Sequence, residues 1–231
     1  MTILVYFRRI DIVRLIIAQT IMEDLIMFEI FLFVNPIGIY CYDTEILIKE
    51  AIDELNLNTS FHFIPITNTK VAREDIIRRK KEGQKVNDIP QYTVASHQAL
   101  RYYHAIRFEY GNKKARLYLI SLQKAISRNF NNYSTDLPKK IILDLNLDFN
   151  RINNPRIDKY IKDSIQQDKE LVKKFNVHNI PTTIIFNENG NYNGILIEGT
   201  VAHDKLITLF KNDYRLNEEP GYLPTNHLHL M

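Results

Sequence analysis

Phe28 to Leu55 reads FEIFLFVNPIGIYCYDTEILIKEAIDEL. Its opening run, Phe28 to Val34, is dense in aromatic and branched apolar residues and stops at Asn35-Pro36. That pattern predicts a buried strand. From Cys41 to Leu55, the residues Leu47, Ile48, Ala51, Ile52 and Leu55 recur on one helical face. Asp43 and Glu45 fall in the first turns of that helix, where acids complement its dipole. Ser60 to Ile66, SFHFIPI, predicts a second strand, with Pro65 marking an edge or an end. A strand, a helix and a second strand in this order imply parallel pairing through a right-handed crossover.

Further along, Val71 to Phe175 carries no strand signal. Helices are predicted over Val71 to Glu82, Ala95 to Tyr110, Lys113 to Phe130, Pro138 to Leu145 and Asp158 to Phe175. The stripe of the second is Leu100, His104 and Phe108; that of the third is Leu119, Leu122, Ile126 and Phe130. Strands return at Thr182 to Phe186 and Tyr192 to Glu198, joined by turn residues Asn187 to Asn191. Gly199 ends this hairpin, and His203 to Phe210 predicts a last helix. The expected organisation is an extension over 1–26, a domain formed by 27–68 and 176–214, a helical insertion over 69–175, and a tail over 215–231. Ile10, Val13, Ile17 and Ile21 recur at helical spacing in the extension, which is read as lying outside the fold. The tail from Glu218 is expected to be poorly ordered.

Composition narrows the function classes. With 231 residues, 45% hydrophobic and 25% charged, the chain is ordinary globular material rather than a disordered or collagen-like one. Thirty basic against 27 acidic residues leave a net charge of +3, too small to argue for a nucleic-acid partner. No run of 18 apolar residues predicts stable membrane insertion. One cysteine, Cys41, excludes an intramolecular disulfide and suits a reducing compartment. The seven glycines form no phosphate-cradling motif, so no nucleotide cofactor is expected. His97 and His104, seven apart, lack the spacing and companions of a zinc site and are read as core or hydrogen-bonding residues. His227 and His229 are a weak chance pair, and no metal is expected. RRKKEG, Arg78 to Gly83, is read as a solvated helix face.

Two junctions carry a resemblance. NPIGIYCY, Asn35 to Tyr42, sits where the first strand meets the first helix. FNVHNIPTTIIF, Phe175 to Phe186, passes from helix to strand through Ile180-Pro181-Thr182. The chain resembles the DsbA family, within a cytoplasmic branch of Firmicutes that includes the SpxH (YjbH) adaptors of the ClpXP protease. The resemblance implies an α/β thioredoxin-like fold, β-α-β … β-β-α, with an inserted all-helical domain. It implies a cis-proline at Pro181 facing the turn after the first strand. It also places partner contacts at Gly38, Ile39, Tyr40, Ile180, Pro181 and Thr182.

One departure bears on function. Redox-active relatives carry Cys-x-x-Cys at the turn, whereas this chain carries Gly38-Ile39-Tyr40-Cys41. The first cysteine is the attacking thiolate, stabilised by the helix N-terminus, and the second resolves the mixed disulfide. Gly38 has no thiol. Cys41, at the resolving position, is the one candidate catalytic residue; it is either a packed small hydrophobe or a one-thiol redox group. The leading expectation is therefore a cytoplasmic protein-interaction adaptor. By resemblance it hands a Spx-like stress regulator to ClpXP. The alternative is a cytoplasmic thiol-disulfide oxidoreductase or isomerase, or a glutathione-dependent enzyme, working through Cys41 alone.

Overall fold

The computed structural model describes residues 27–84, 86, 89–187, 194–215 and 229–230. The expectations for residues 1–26, for the hairpin turn after Asn187 and for most of the tail lie outside the described residues. Strands β1 (Met27–Val34), β2 (Asn58–Pro65), β3 (Thr182–Asn187), β4 (Ile195–Glu198) and β5 (His229–Leu230) form one sheet in the order β2-β1-β3-β4-β5. β1 and β2 pair in parallel, with Val34 opposite Pro65. β3 runs antiparallel to β1, and β4 antiparallel to β3. The short β5 pairs antiparallel with β4, Leu230 opposite Ile195.

Apart from Glu29, β1 is apolar on both faces because it is an inner strand with helices on either side. Phe28, Ile30 and Leu32 are fully buried, and Phe28 meets Phe210 of the last helix edge-on at 5.3 Å. On the opposite face, Phe31 and Phe33 pack against Phe175 at 5.2 and 6.1 Å. Full burial of side chains this size contributes about 1.5–3 kcal/mol each. Pro65 is the last residue of the edge strand β2, where its missing N–H costs no ladder bond.

The helices are α1 (Ile39–Glu54), α2 (Thr69–Lys81), α3 (Ile89–Ile126), α4 (Leu137–Asp144), α5 (Phe149–Ile152), α6 (Asp158–Lys174) and α7 (His203–Arg215). α2 to α6 all lie between β2 and β3 in the chain. Gly111, at φ 82°, breaks α3 into the two helical segments that the sequence pattern separates. Leu119, Leu122, Ile126 and Phe130 are buried as expected, but Phe108 is 47% exposed, so the stripe of the first segment ends at His104. Glu45 also departs from expectation. It is fully buried and pairs with Arg116 at 2.7 Å rather than serving the helix dipole.

One short sequence signal recurs at three helix ends. Leu55-Asn56-Leu57, Leu145-Asn146-Leu147 and Phe175-Asn176-Val177 each place Asn at positive φ, at 49°, 56° and 51°. The following apolar residue then bonds back to the carbonyl five positions earlier, as in Leu57 to Ile52 and Val177 to Val172. This is the Schellman arrangement, with Asn accepting the left-handed conformation in place of Gly. The third instance stops α6 and sends the chain toward Ile180 and Pro181.

Candidate functional site

Antiparallel pairing sets Phe33 opposite Thr182. The end of β1 and the start of β3 therefore share one end of the sheet. The turn 35–38 and the segment 178–181 meet there. The Ile180-Pro181 bond is cis. Pro181 and Thr182 are buried, Thr182 Oγ1 donates to the Asn179 carbonyl at 2.6 Å, and Gly199 N–H donates to the Pro181 carbonyl at 2.7 Å.

The turn itself is tightly tied. Gly38 N–H donates to the Asn35 carbonyl at 3.0 Å, and Ile37 N–H to Asn35 Oδ1 at 3.2 Å. Gly38 is the N-cap of α1 and is buried. A Cβ at this position would lie 2.7 Å from Cys41 Sγ and 2.9 Å from Asn35 Cβ. Glycine is thus required for space rather than for backbone freedom, since φ is an ordinary −71°.

Cys41 is 2% exposed, and its Sγ accepts from Asn35 N–H at 3.2 Å. Burial pushes the thiol well above its ordinary pKa, and the Asp75 carboxylate raises it further. Asp75, from α2, also accepts from Ile39 N–H at 2.9 Å. It therefore occupies the positive end of α1, where an attacking thiolate would draw its stabilisation. Two features oppose a thiolate at this turn: position 38 carries no thiol, and a carboxylate sits at the helix N-terminus.

A buried charge is costly unless it is paired and fully hydrogen-bonded. Asp75 meets both conditions. Its Oδ2 accepts from Arg79 Nε at 2.8 Å and from the Tyr92 hydroxyl at 2.7 Å. Arg79, with no exposed surface, spends its remaining donors on Ile37, Ile126 and Gln84. Tyr92 in turn accepts from Asn35 Nδ2 at 3.0 Å. The Asn35 carbonyl also accepts from Gln123 at 3.3 Å. The reading of RRKKEG as a solvated face is corrected at Arg79, which clamps the turn from below.

The other predicted partner-binding residues lie at the rim. Ile39 is buried, whereas Tyr40 is half-buried and donates to Glu82 at 2.7 Å, which raises its phenol pKa. Arg78 joins the two halves of the site. Its guanidinium donates to the Ile180 carbonyl and lies 5.8 Å from the Tyr40 ring centroid. Lys70 Nζ donates to the His178 carbonyl at 2.9 Å. So α2 fastens the 178–180 segment as well as the turn. The structure brings Gly38, Ile39, Tyr40 and Cys41 to the same end of the sheet as Ile180, Pro181 and Thr182. Sequence reasoning missed Asp75, Arg78, Arg79 and Tyr92. Only the Asp75–Arg79 spacing of four residues was a usable signal.

The two histidines read together do not act together. His97 is exposed, while His104 is fully buried with Nδ1 2.9 Å from Ser164 Oγ. Among the described residues, no three His, Cys, Asp or Glu side chains gather as a metal site, and no helix is long and apolar enough to cross a membrane.

Comparison with known proteins agrees with this geometry. A family model described as Thioredoxin matches residues 31–207. The ClpXP adapter protein SpxH of Bacillus cereus is 27% identical over 115 residues, which make up 49% of this chain and 39% of that relative. The chain therefore spans well under two thirds of the length of this relative. Among solved structures, a candidate protein disulfide isomerase from Nitrosomonas europaea superposes with a TM-score of 0.58 at 13% identity, over 84% of this chain and 100% of the other. The thiol-disulfide exchange protein alpha-DsbA2 of Wolbachia pipientis gives 0.53 at 15%, over 92% and 100%. At such identities the likeness concerns the fold alone.

Proposed function

This chain belongs to the thioredoxin family, and from that premise we propose that it binds a protein partner without exchanging thiols. In this reading it is an adaptor that presents a Spx-like stress regulator to the ClpXP protease in the cytoplasm. The observation that carries the reading is the state of the turn. Gly38 stands where the attacking cysteine would be, and Asp75 caps the helix end that would stabilise a thiolate. What remains is a thioredoxin-like end of a sheet whose backbone segment around Ile180 and Pro181 can face an extended partner chain. The partial match to a ClpXP adapter protein supports the choice of protease.

The redox alternative needs Cys41 as a thiolate. Its burial and the neighbouring carboxylate both oppose that. The glutathione-dependent version also needs a group to activate the thiol, and Gly38 supplies none.

The test is a reconstituted degradation assay with purified ClpXP and Spx, with and without this protein. The reading predicts faster Spx loss, with the same rate for Cys41→Ala and with or without dithiothreitol. No acceleration by the wild-type protein would overturn the adaptor assignment. Acceleration abolished by Cys41→Ala in a protein that still folds would overturn the thiol-independent part.

A further inference from the structure

A second site lies apart from the turn. A cleft of about 430 Å³ opens beside the edge strand β2, between α3 and α6. This is within the size range of small-molecule sites. It shares no residue with the turn 35–42 or the segment 178–182.

Its walls differ in chemistry. Phe61 and Phe63 of β2 stack at 5.6 Å between centroids and give an aromatic surface. Arg116 lies over Phe61 at 4.2 Å, so a cation and a ring present one combined face. Arg107 and Lys113, also from α3, line the same cleft. Lys113 is exposed and, among the described residues, makes no ion pair or hydrogen bond. The Gly111 break makes Asn112 and Lys113 the start of a new helical segment, whose end adds positive field.

The acid count is smaller. Glu45 pairs with Arg116 from behind at 2.7 Å. Asp168 of α6, whose side chain is 5% exposed, stands 3.7 Å from Arg107. Its Oδ2 is buried, makes no hydrogen bond and stands 3.5 Å from His104 Nε2. Burial outweighs Arg107 and holds the carboxyl up at about 7, so near neutrality it offsets only part of the basic charge.

We propose that this cleft binds a small organic anion with a flat apolar body, its ring on Phe61 and Phe63 and its acidic oxygens between Arg107 and Lys113. The positive excess excludes a cation, and the aromatic wall selects against inorganic anions.

The experiment uses two dyes that differ in one group. 1-Anilinonaphthalene-8-sulfonate is titrated into the full chain by fluorescence, beside N-phenyl-1-naphthylamine, which has the same rings and no sulfonate. The expected result is saturable one-to-one binding of the sulfonate, with the uncharged dye weaker by about ten-fold or more, the scale of one good charged contact. Lys113→Glu, at an exposed position, should weaken the sulfonate by a similar factor and leave the uncharged dye unchanged. Leu171→Trp, which fills the cleft, should weaken both. Absence of saturable binding, equal affinity for the two dyes, or indifference to Lys113→Glu with unchanged melting temperature would overturn the proposal. None of these readouts involves ClpXP, so the two proposals fail separately.

Discussion

Two buried carboxylates of this molecule meet arginine and end in opposite states. Asp75 is bonded by Arg79, Tyr92 and a backbone N–H, so both of its oxygens are occupied. Asp168 stands 3.7 Å from Arg107 and 3.5 Å from His104 Nε2, with Oδ2 unsatisfied. A saturated charge acts as a mechanical clamp. An unsaturated one is held toward its neutral form and is left able to respond to protons or ligands. The clamp lies under the turn, where thioredoxin chemistry would require an accessible thiolate. The responsive group lies in the cleft beside β2.

The largest effect should come from breaking the clamp. Arg79→Met strands a buried carboxylate and should cost about 3–5 kcal/mol by chemical denaturation. The double variant Asp75→Asn with Arg79→Met should recover part of that loss, because no charge is then left unpaired. A cost under about 1 kcal/mol for the single variant would mean that the clamp is not holding the fold.

Crowding the turn gives the next effect. The Cβ of Gly38→Ala meets Sγ at 2.7 Å, and overpacking of this kind costs about 1–3 kcal/mol. Gly38→Cys sharpens the point. Across a disulfide, a Cβ sits about 3 Å from the partner sulfur. An oxidised Gly38→Cys variant should therefore close a bond to Cys41, read as a two-hydrogen mass loss. A protein that stays in the dithiol form under oxidant would show the geometry of the turn to be wrong.

The responsive pair gives a smaller, pH-dependent signal. Asp168 and Glu45 are both raised to about 7 by burial, which outweighs their arginine partners. In the folded state each binds a proton that the unfolded chain releases above about pH 4. Their contribution is therefore present at low pH and lost as pH rises from about 4 through 7. His104, lowered to about 3 by burial, opposes this below its ordinary value, because the unfolded chain takes up a proton that the folded one refuses. Asp168→Asn removes one of the two acidic terms. The stability difference between wild type and this variant should shift on the order of 2 kcal/mol between pH 5 and 8, in favour of wild type at pH 5. A difference independent of pH would place an ordinary ionised carboxylate at this site.

Much of the fold is readable from local pattern. The apolar run from Phe28, the Pro65 stop and the Thr182 strand each depend on residues close in sequence, and each appears where the pattern puts it. The site is only half readable. Gly38, Cys41 and Pro181 are visible because they sit at element junctions. Asp75 and Tyr92 are not, because they act on a turn tens of residues away in the chain, and a lone acid or tyrosine on a helix carries no mark of its partner. Arg79 reads as solvated because three neighbouring basic residues surround it, and only tertiary packing turns it inward. Glu45 fails for the same reason, since its partner Arg116 lies 71 positions on.

The central claim is that the turn binds without thiol chemistry, and the reactivity of Cys41 tests it most directly. Native protein is mixed with 5,5′-dithiobis(2-nitrobenzoate) and followed from pH 6 to 9, with the same protein in denaturant as reference. The account predicts negligible reaction of the native thiol across this range and one equivalent released on unfolding. Stoichiometric reaction of the native protein on the mixing timescale, with a midpoint below the ordinary thiol pKa of about 8.5, would contradict it.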